Sequence, residues 1–174
     1  MRNIPFALII RGASGSGKTT VARKISVKYR AVIIEYDMFL FRLQRYKSEG
    51  KEGFELANHG FKCCFDYAVK KKRNLVLEGA FMSVDRTVNV LSLTQYIKSL
   101  KKNGYHVIQV MLMSSHETAK KRIEKREHLI PVEVYRKIKD QLRKSIRPEE
   151  ILIDTSRKKR KQINDEIVAR IEAS

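Results

Sequence analysis

Phe6-Ala-Leu-Ile-Ile-Arg-Gly12-Ala-Ser-Gly-Ser-Gly-Lys18-Thr19 joins a continuous apolar run to a glycine- and serine-rich turn closed by Lys-Thr. A strand covered on both faces has this composition, because helices on either side leave it no solvated face. From Gly12 the residues satisfy G-x-x-x-x-G-K-[ST] at every defined position, directly after the strand and before a helix predicted over residues 19–29. Several backbone N–H groups can meet phosphate oxygens at once only where glycines let the chain curl without Cβ clashes. The helix that follows adds the partial positive charge of its N-terminus. Gly12, Ala13, Ser14, Gly15, Ser16, Gly17, Lys18, Thr19 and Thr20 are therefore the expected nucleotide-contacting residues. Lys18 brings a mobile full charge to the β- and γ-phosphates, and the Thr19 hydroxyl has the right reach for Mg²⁺.

Outward from this segment the pattern repeats. Short apolar runs at residues 31–35, 75–78, 106–112 and 151–154 read as four more strands. Helical stretches are expected over residues 55–72, 88–102, 115–127, 132–144 and 162–172. Strands alternating with helices at this spacing need crossover connections, which give a parallel sheet with helices on both faces. The fold class is α/β, and 174 residues form one domain over 1–174. Two segments break the rhythm. Residues 38–74 exceed one crossover helix and contain the polar break Lys47-Ser-Glu-Gly-Lys-Glu-Gly53, which suggests a helical insertion beyond the strand ends. Residues 127–150 are rich in Arg and Lys, with Pro131 suited to open a helix.

Composition narrows the function. Lys and Arg number 37 against 19 Asp and Glu, a net +18 that favours an anionic ligand or partner. Between residues 120 and 161 there are 16 basic and 7 acidic residues. That surplus suits a groove for a nucleic-acid backbone, or simply solvated basic helices. The N-terminal apolar run, residues 4–10, is too short for a membrane span or a secretory leader, so no membrane partner and a cytosolic location are expected. Cys63 and Cys64 are adjacent, with neither disulfide nor C-x-x-C spacing, and read as two buried thiols. The four histidines lack zinc spacing. Tyr36, Phe39, Phe41 and Tyr46 read as core at near-helical spacing, with a base-stacking platform as the alternative. An Asn-Lys-x-Asp guanine-reading segment is absent from the sequence.

With its phosphate loop, the acid in Ile33-Ile-Glu-Tyr-Asp37, the acid ending Leu75-Val-Leu-Glu78-Gly, the basic helix Ala119-Lys-Lys-Arg-Ile-Glu-Lys-Arg126 and Ile153-Asp-Thr155, the sequence resembles the small P-loop kinases related to nucleoside monophosphate kinases. The likeness is greatest to the branch holding gluconate kinase, chloramphenicol phosphotransferase, zeta toxins and polynucleotide 5′-hydroxyl kinase. It runs from Phe6 to about Ile171. The resemblance implies a three-layer P-loop kinase fold with five parallel strands in the order 2-3-1-4-5, a substrate-binding insertion over 38–74 and a lid over 127–150. It also implies that ATP and Mg²⁺ are the cofactors.

Asp37 follows an apolar strand and should emerge at the carboxyl ends of the sheet, where open α/β folds place their ligands. There it can accept the proton of an attacking hydroxyl, as the matching residue does in similar kinases; its alternative duty is to cap a helix at Met38. Glu35 is a neighbouring candidate. Glu78 matches an acid that holds Mg²⁺ in similar proteins, where Asp is usual, with a strand-end salt bridge as the alternative. Arg122 and Arg126 share a helix face. By resemblance they start a lid over ATP, in which an arginine packs on adenine or stabilises charge on the transferred group, Arg126 being the favoured one, against the alternative of a solvated basic face. Thr155 is placed by the same resemblance beside the adenine, with loop capping as the alternative. The expected activity is transfer of the γ-phosphoryl group of ATP to a hydroxyl, on a small molecule or a polynucleotide 5′ end. The alternative is a nucleotide-binding regulatory or nucleic-acid-binding protein without transfer.

Overall fold

The computed structural model describes residues 4–39, 51–81, 93–124 and 132–173. Five strands, β1 (Phe6–Gly12), β2 (Val32–Glu35), β3 (Leu75–Glu78), β4 (His106–Met113) and β5 (Ile151–Asp154), form one sheet in the order β2-β3-β1-β4-β5. Every neighbouring pair is parallel. The order expected from the family resemblance is the order observed. Six helices are described: α1 (Lys18–Tyr29), α2 (Lys51–Lys70), α3 (Leu93–Lys102), α4 (His116–Ile123), α5 (Val132–Lys144) and α6 (Arg160–Glu172).

Strand alternation divides the core into layers. Leu8 and Ile10 of β1 face α1 and α6, meeting Val21, Ile25, Ile163 and Ile167. Ala7 and Ile9 face the other way, toward Phe61 and Phe65 of α2 and Tyr96, Ile97 and Leu100 of α3. β1 is buried at all seven positions, which explains why its sequence shows no polar alternation. A smaller cluster of Ala13, Met111, Ala119, Ile123, Tyr135 and Leu142 fixes α4 and α5 over the carboxyl end of β4.

Two expectations need correction. Cys63 and Cys64 are free and exposed, not buried. On α2 the buried stripe is Ala57, Phe61, Phe65 and Ala68; a 3.6-residue turn carries Cys63 to the opposite side and leaves Cys64 on the flank of the stripe, where it is still exposed. The stretch read as a polar break is helical from Lys51, since α2 begins inside it and Gly53 is buried. The core reading holds for Tyr36 and Phe39, which belong to the aromatic cluster around Phe61; Phe41 and Tyr46 lie outside the described residues. Among the described residues no helix is long and apolar enough to cross a membrane.

Candidate active site

Register brings the chemistry to one edge. Ile10 and Glu35 both lie opposite Glu78, and Gly12 lies opposite Leu112, so the carboxyl ends of β1 to β4 surround the phosphate loop. The loop is held tightly where it has glycine. A Cβ on Gly12 would stand 2.5 Å from the Leu112 carbonyl oxygen, and one on Gly15, whose φ is +76°, would stand 2.9 Å from that of Ala119. Ser16 donates its N–H to the Ala13 carbonyl at 3.2 Å. Gly17 (φ 95°) is the N-cap of α1 and supplies no side-chain cap, leaving the helix dipole open toward the loop. Ala13, Gly15, Ser16 and Lys18 are buried, Ser14 and Thr19 half-buried, and Thr20 is exposed on α1.

Lys18 Nζ sits between two carboxylates, 3.5 Å from Glu78 Oε1 and 3.7 Å from Asp37 Oδ2. Thr19 Oγ1 donates to Glu78 Oε2 at 3.3 Å. Burial pushes the Glu78 carboxyl above its ordinary range, Lys18 opposes that shift, and Asp37 and Glu35 add to it. Glu35 turns toward α1 as well, pairing with Arg23 at 3.6 Å.

Asp37 is not a helix cap. Residues 36–39 are themselves helical, so Asp37 lies within the turn. Its backbone is fixed by Tyr36, a buried ring that stacks on Phe81 at 5.7 Å and donates its hydroxyl to Asn58 Oδ1 at 2.7 Å. Gly79 makes room for this approach: a Cβ there would stand 2.9 Å from Tyr36 Cβ and 3.6 Å from Asp37 Oδ1. The Asp37 side chain stays about a third exposed (32%), open to an incoming molecule.

The donor set suits a nucleotide and Mg²⁺. Ser16 Oγ is buried without a hydrogen-bond partner among the described residues, at a loop where added Cβ atoms would collide. Mg²⁺ is commonly held by one or two carboxylates together with substrate phosphates, and Thr19 and Glu78 offer one hydroxyl and one carboxylate. No three-residue His, Cys, Asp and Glu cluster occurs among the described residues.

Arg122 takes a different place from a solvated face. Its Nη1 donates to the Gly15 carbonyl at 3.0 Å and to Thr155 Oγ1 at 3.2 Å, and Nη2 donates to the Thr155 carbonyl at 2.9 Å. Thr155 in turn donates N–H and hydroxyl to the Met113 carbonyl, at 2.7 and 3.1 Å. Arg122 and Thr155 thus brace the phosphate loop against the loop after β5. Arg126 lies outside the described residues. Arg147 of the expected lid is held at Thr94 Oγ1, 2.9 Å away, while Arg136 and Arg143 are exposed.

Sequence reading passes over two residues. Gly79 gave no signal beyond following a strand. Arg11, read only as the end of an apolar run, is 2% exposed inside β1 and forms a buried pair with Glu150 at 3.1 Å. It also donates to the Ser145 carbonyl and hydroxyl at 3.1 and 2.6 Å. A charged residue inside an apolar strand requires a buried partner, and that requirement was the available signal.

Comparisons with known proteins follow this geometry. Similar solved structures include a sugar kinase from Janibacter sp. HTCC2649, 20% identical with a TM-score of 0.65, covering 97% of this chain and 95% of that one. A gluconokinase from Sinorhizobium meliloti 1021 is 16% identical with a TM-score of 0.58, covering 97% and 92%. A deoxyadenosine kinase from M. mycoides, solved with the products dCMP and dCDP, is 20% identical with a TM-score of 0.61, covering 97% and 99%. These likenesses establish the P-loop kinase fold. No curated protein matches the sequence. The family model described as an AAA domain matches residues 8–148, which hold the phosphate loop, Asp37, Glu78 and Arg122, and the chain belongs to that P-loop family.

Proposed function

We propose that this protein is an ATP-dependent phosphotransferase that moves the γ-phosphoryl group to a hydroxyl acceptor. The observation that carries the reading is the position of Asp37, a partly open carboxylate 3.7 Å from the phosphate-loop lysine, on a turn locked by buried aromatics. A loop that only binds nucleotide needs one acid to hold Mg²⁺, which Glu78 offers, so a second and more open carboxylate at Asp37 is left for an acceptor. A kinase uses one to orient and deprotonate the acceptor.

Each residue then has a defined task. The amides of residues 13–19 and Lys18 hold the phosphates and neutralise charge that develops on the transferred group. Thr19 and Glu78 hold Mg²⁺, which supplies Lewis-acid stabilisation of the phosphoryl oxygens when bound. Nucleotide entry draws Lys18 away from Asp37 and Glu78, freeing Asp37 to take the acceptor proton. Arg122 keeps the loop in register with Thr155, beside which the adenine would lie. The segments 38–74 and 127–150, with Arg126 immediately before the second, supply the acceptor site and the lid in this reading. The names of the similar structures, a sugar kinase, a gluconokinase and a deoxyadenosine kinase, support a hydroxyl acceptor of small size. A polynucleotide 5′-hydroxyl is the other acceptor class to test. The reading places the chain in the cytosol, where ATP and Mg²⁺ are supplied.

A screen with γ-labelled ATP against alcohols, nucleosides, sugar derivatives and 5′-hydroxyl oligonucleotides tests the proposal. Label should pass to at least one acceptor with the wild type and not with Asp37→Asn. Tight ATP binding with no transfer to any of them, and no effect of Asp37→Asn, would favour a nucleotide-dependent regulator.

A further inference from the structure

The end of the sheet opposite the phosphate loop carries a second charged surface. α1, α2 and α3 all finish there, each leading into the amino end of the next strand. Arg30 follows α1, the run Lys70-Lys-Lys-Arg73 closes α2, and Lys101-Lys102 closes α3; all are exposed. The three turns are joined to one another. Asn74 accepts from the Val32 N–H at 2.8 Å, Tyr105 donates its hydroxyl to the Arg73 carbonyl at 2.9 Å, and the Lys72 ammonium bonds the Asn103 carbonyl.

One carboxylate stands beside them, Asp66, a turn before Lys70 and engaged by Lys62; otherwise the adjoining sequence brings none. Residues 1–34, 67–77 and 86–116 contain neither Asp nor Glu. Glu172, which reaches this end from α6, is engaged by Lys28 and Tyr29.

Helix dipoles favour cations in a last turn and account for Lys70, Lys101 and Lys102 there. They do not account for the backbone. The three helices end in the same left-handed position, occupied by Gly104 (φ +76°) after α3 but by Arg30 (φ +49°) and Lys72 (φ +51°) after α1 and α2. Glycine is the relaxed choice at such a position. Two of the three positive-φ residues other than glycine among those described are cations on this edge, a strain that points to use of the side chains.

We propose that this edge binds the phosphate backbone of a single-stranded nucleic acid, at a site separate from the phosphate loop. The turns before β2, β3 and β4, with the start of β1 between the last two, span four neighbouring strands. At about 4.8 Å between strands this is roughly 14 Å, room for a few successive phosphates. Tyr67, 65% exposed with Lys71 Nζ 5.9 Å from its ring centroid, gives an aromatic surface among the cations of the kind on which unpaired bases stack. A lipid surface fits less well, because the apolar stripes of α1, α2 and α3 face the core and the exposed Ile4 and Val27 are single residues, not an amphipathic face to insert. The proposal stands apart from the phosphotransferase reading and survives its failure.

Fluorescence anisotropy with a labelled oligouridylate tests it on the full chain. The quadruple reversal Lys70→Glu, Lys71→Glu, Lys101→Glu and Lys102→Glu should weaken binding on the order of a hundredfold at about 50 mM salt and flatten the log–log salt slope by about 3. An equal reversal on α5, at Arg136, Lys137, Arg143 and Lys144, should cost far less. Saturating ATP with Mg²⁺ should leave the affinity unchanged. The pair Arg30→Gly and Lys72→Gly relieves backbone strain while losing the Lys72 bond to Asn103, so it should melt near the wild type yet bind more weakly. Equal weakening by the two quadruple reversals, displacement by ATP, undiminished binding by the glycine pair, or binding to phosphatidylserine vesicles without binding to oligouridylate would each overturn the proposal.

Discussion

Arg11 Nη1 lies 3.2 and 3.1 Å from the two carboxylate oxygens of Glu150, in a pair whose side chains are 3% and 0% exposed. The pair ties the strand that launches the phosphate loop to the chain leaving α5, and Arg11 reaches Ser145 at the end of that helix as well. Burial lowers the Arg11 pKa, while the attraction of Glu150 counters it. Removing one partner strands the other charge out of water, which costs about 3–5 kcal/mol in such pairs. Glu150→Ala is therefore expected to destabilise by that amount in urea unfolding, whereas Arg11→Met with Glu150→Leu should recover much of the loss.

Asp37→Asn keeps the shape of the turn and the Gly79 contact while removing the carboxylate proposed as the base. The turnover rate should fall about 10²–10⁴-fold, the usual worth of a general base. ATP affinity should hold or rise slightly, since a negative charge beside the phosphates has gone. Comparing steady-state kinetics with calorimetric ATP binding separates the two effects.

Arg122→Ala breaks three hydrogen bonds from a charged donor, two to the backbone of loops on either side of the nucleotide site. Hydrogen bonds to charged groups contribute about 1.5–3 kcal/mol each, and part of that is recovered by water at a half-buried site. The expected result is ATP affinity lower by about tenfold or more. Arg122→Lys should not rescue it, because one ammonium cannot span Gly15 and Thr155 with a planar fork.

Glu78 has a folded pKa above its unfolded value, so the folded protein binds the proton more tightly. Its contribution to stability is present below the unfolded value and is lost as pH rises through the folded one. Thermal melts of wild type and Glu78→Gln without nucleotide should agree near pH 4. The wild type should then lose ground to the variant as pH rises through that window. Mg²⁺-dependent ATP binding should show the opposite slope in the wild type, strengthening as Glu78 ionises. A melting difference constant across pH would contradict this assignment.

Fold and phosphate loop were legible because both are written locally. The run Phe6-Ala-Leu-Ile-Ile and the glycines at 12, 15 and 17 state their environment without reference to distant residues. Strand order needed the family resemblance, since apolar runs look alike whichever neighbour they pair with. Asp37 and Glu78 were found from their strand-end positions, and the structure brings both to Lys18. The partners of Arg122 and Arg11 were not legible. Arg122 meets Gly15 across 107 positions and Arg11 meets Glu150 across 139, separations at which sequence spacing says nothing. The cysteines were misread for a simpler reason: apolar neighbours suggested burial, but α2 buries only one stripe and Cys63 and Cys64 fall outside it.

Calorimetric titration of ATP into the purified protein, with and without Mg²⁺, tests the central claim most directly. Saturable binding at one site per chain, strengthened by Mg²⁺ and lost in Lys18→Ala, is the expected result. No heat of binding in either condition, or binding that Lys18→Ala leaves unchanged, would contradict it.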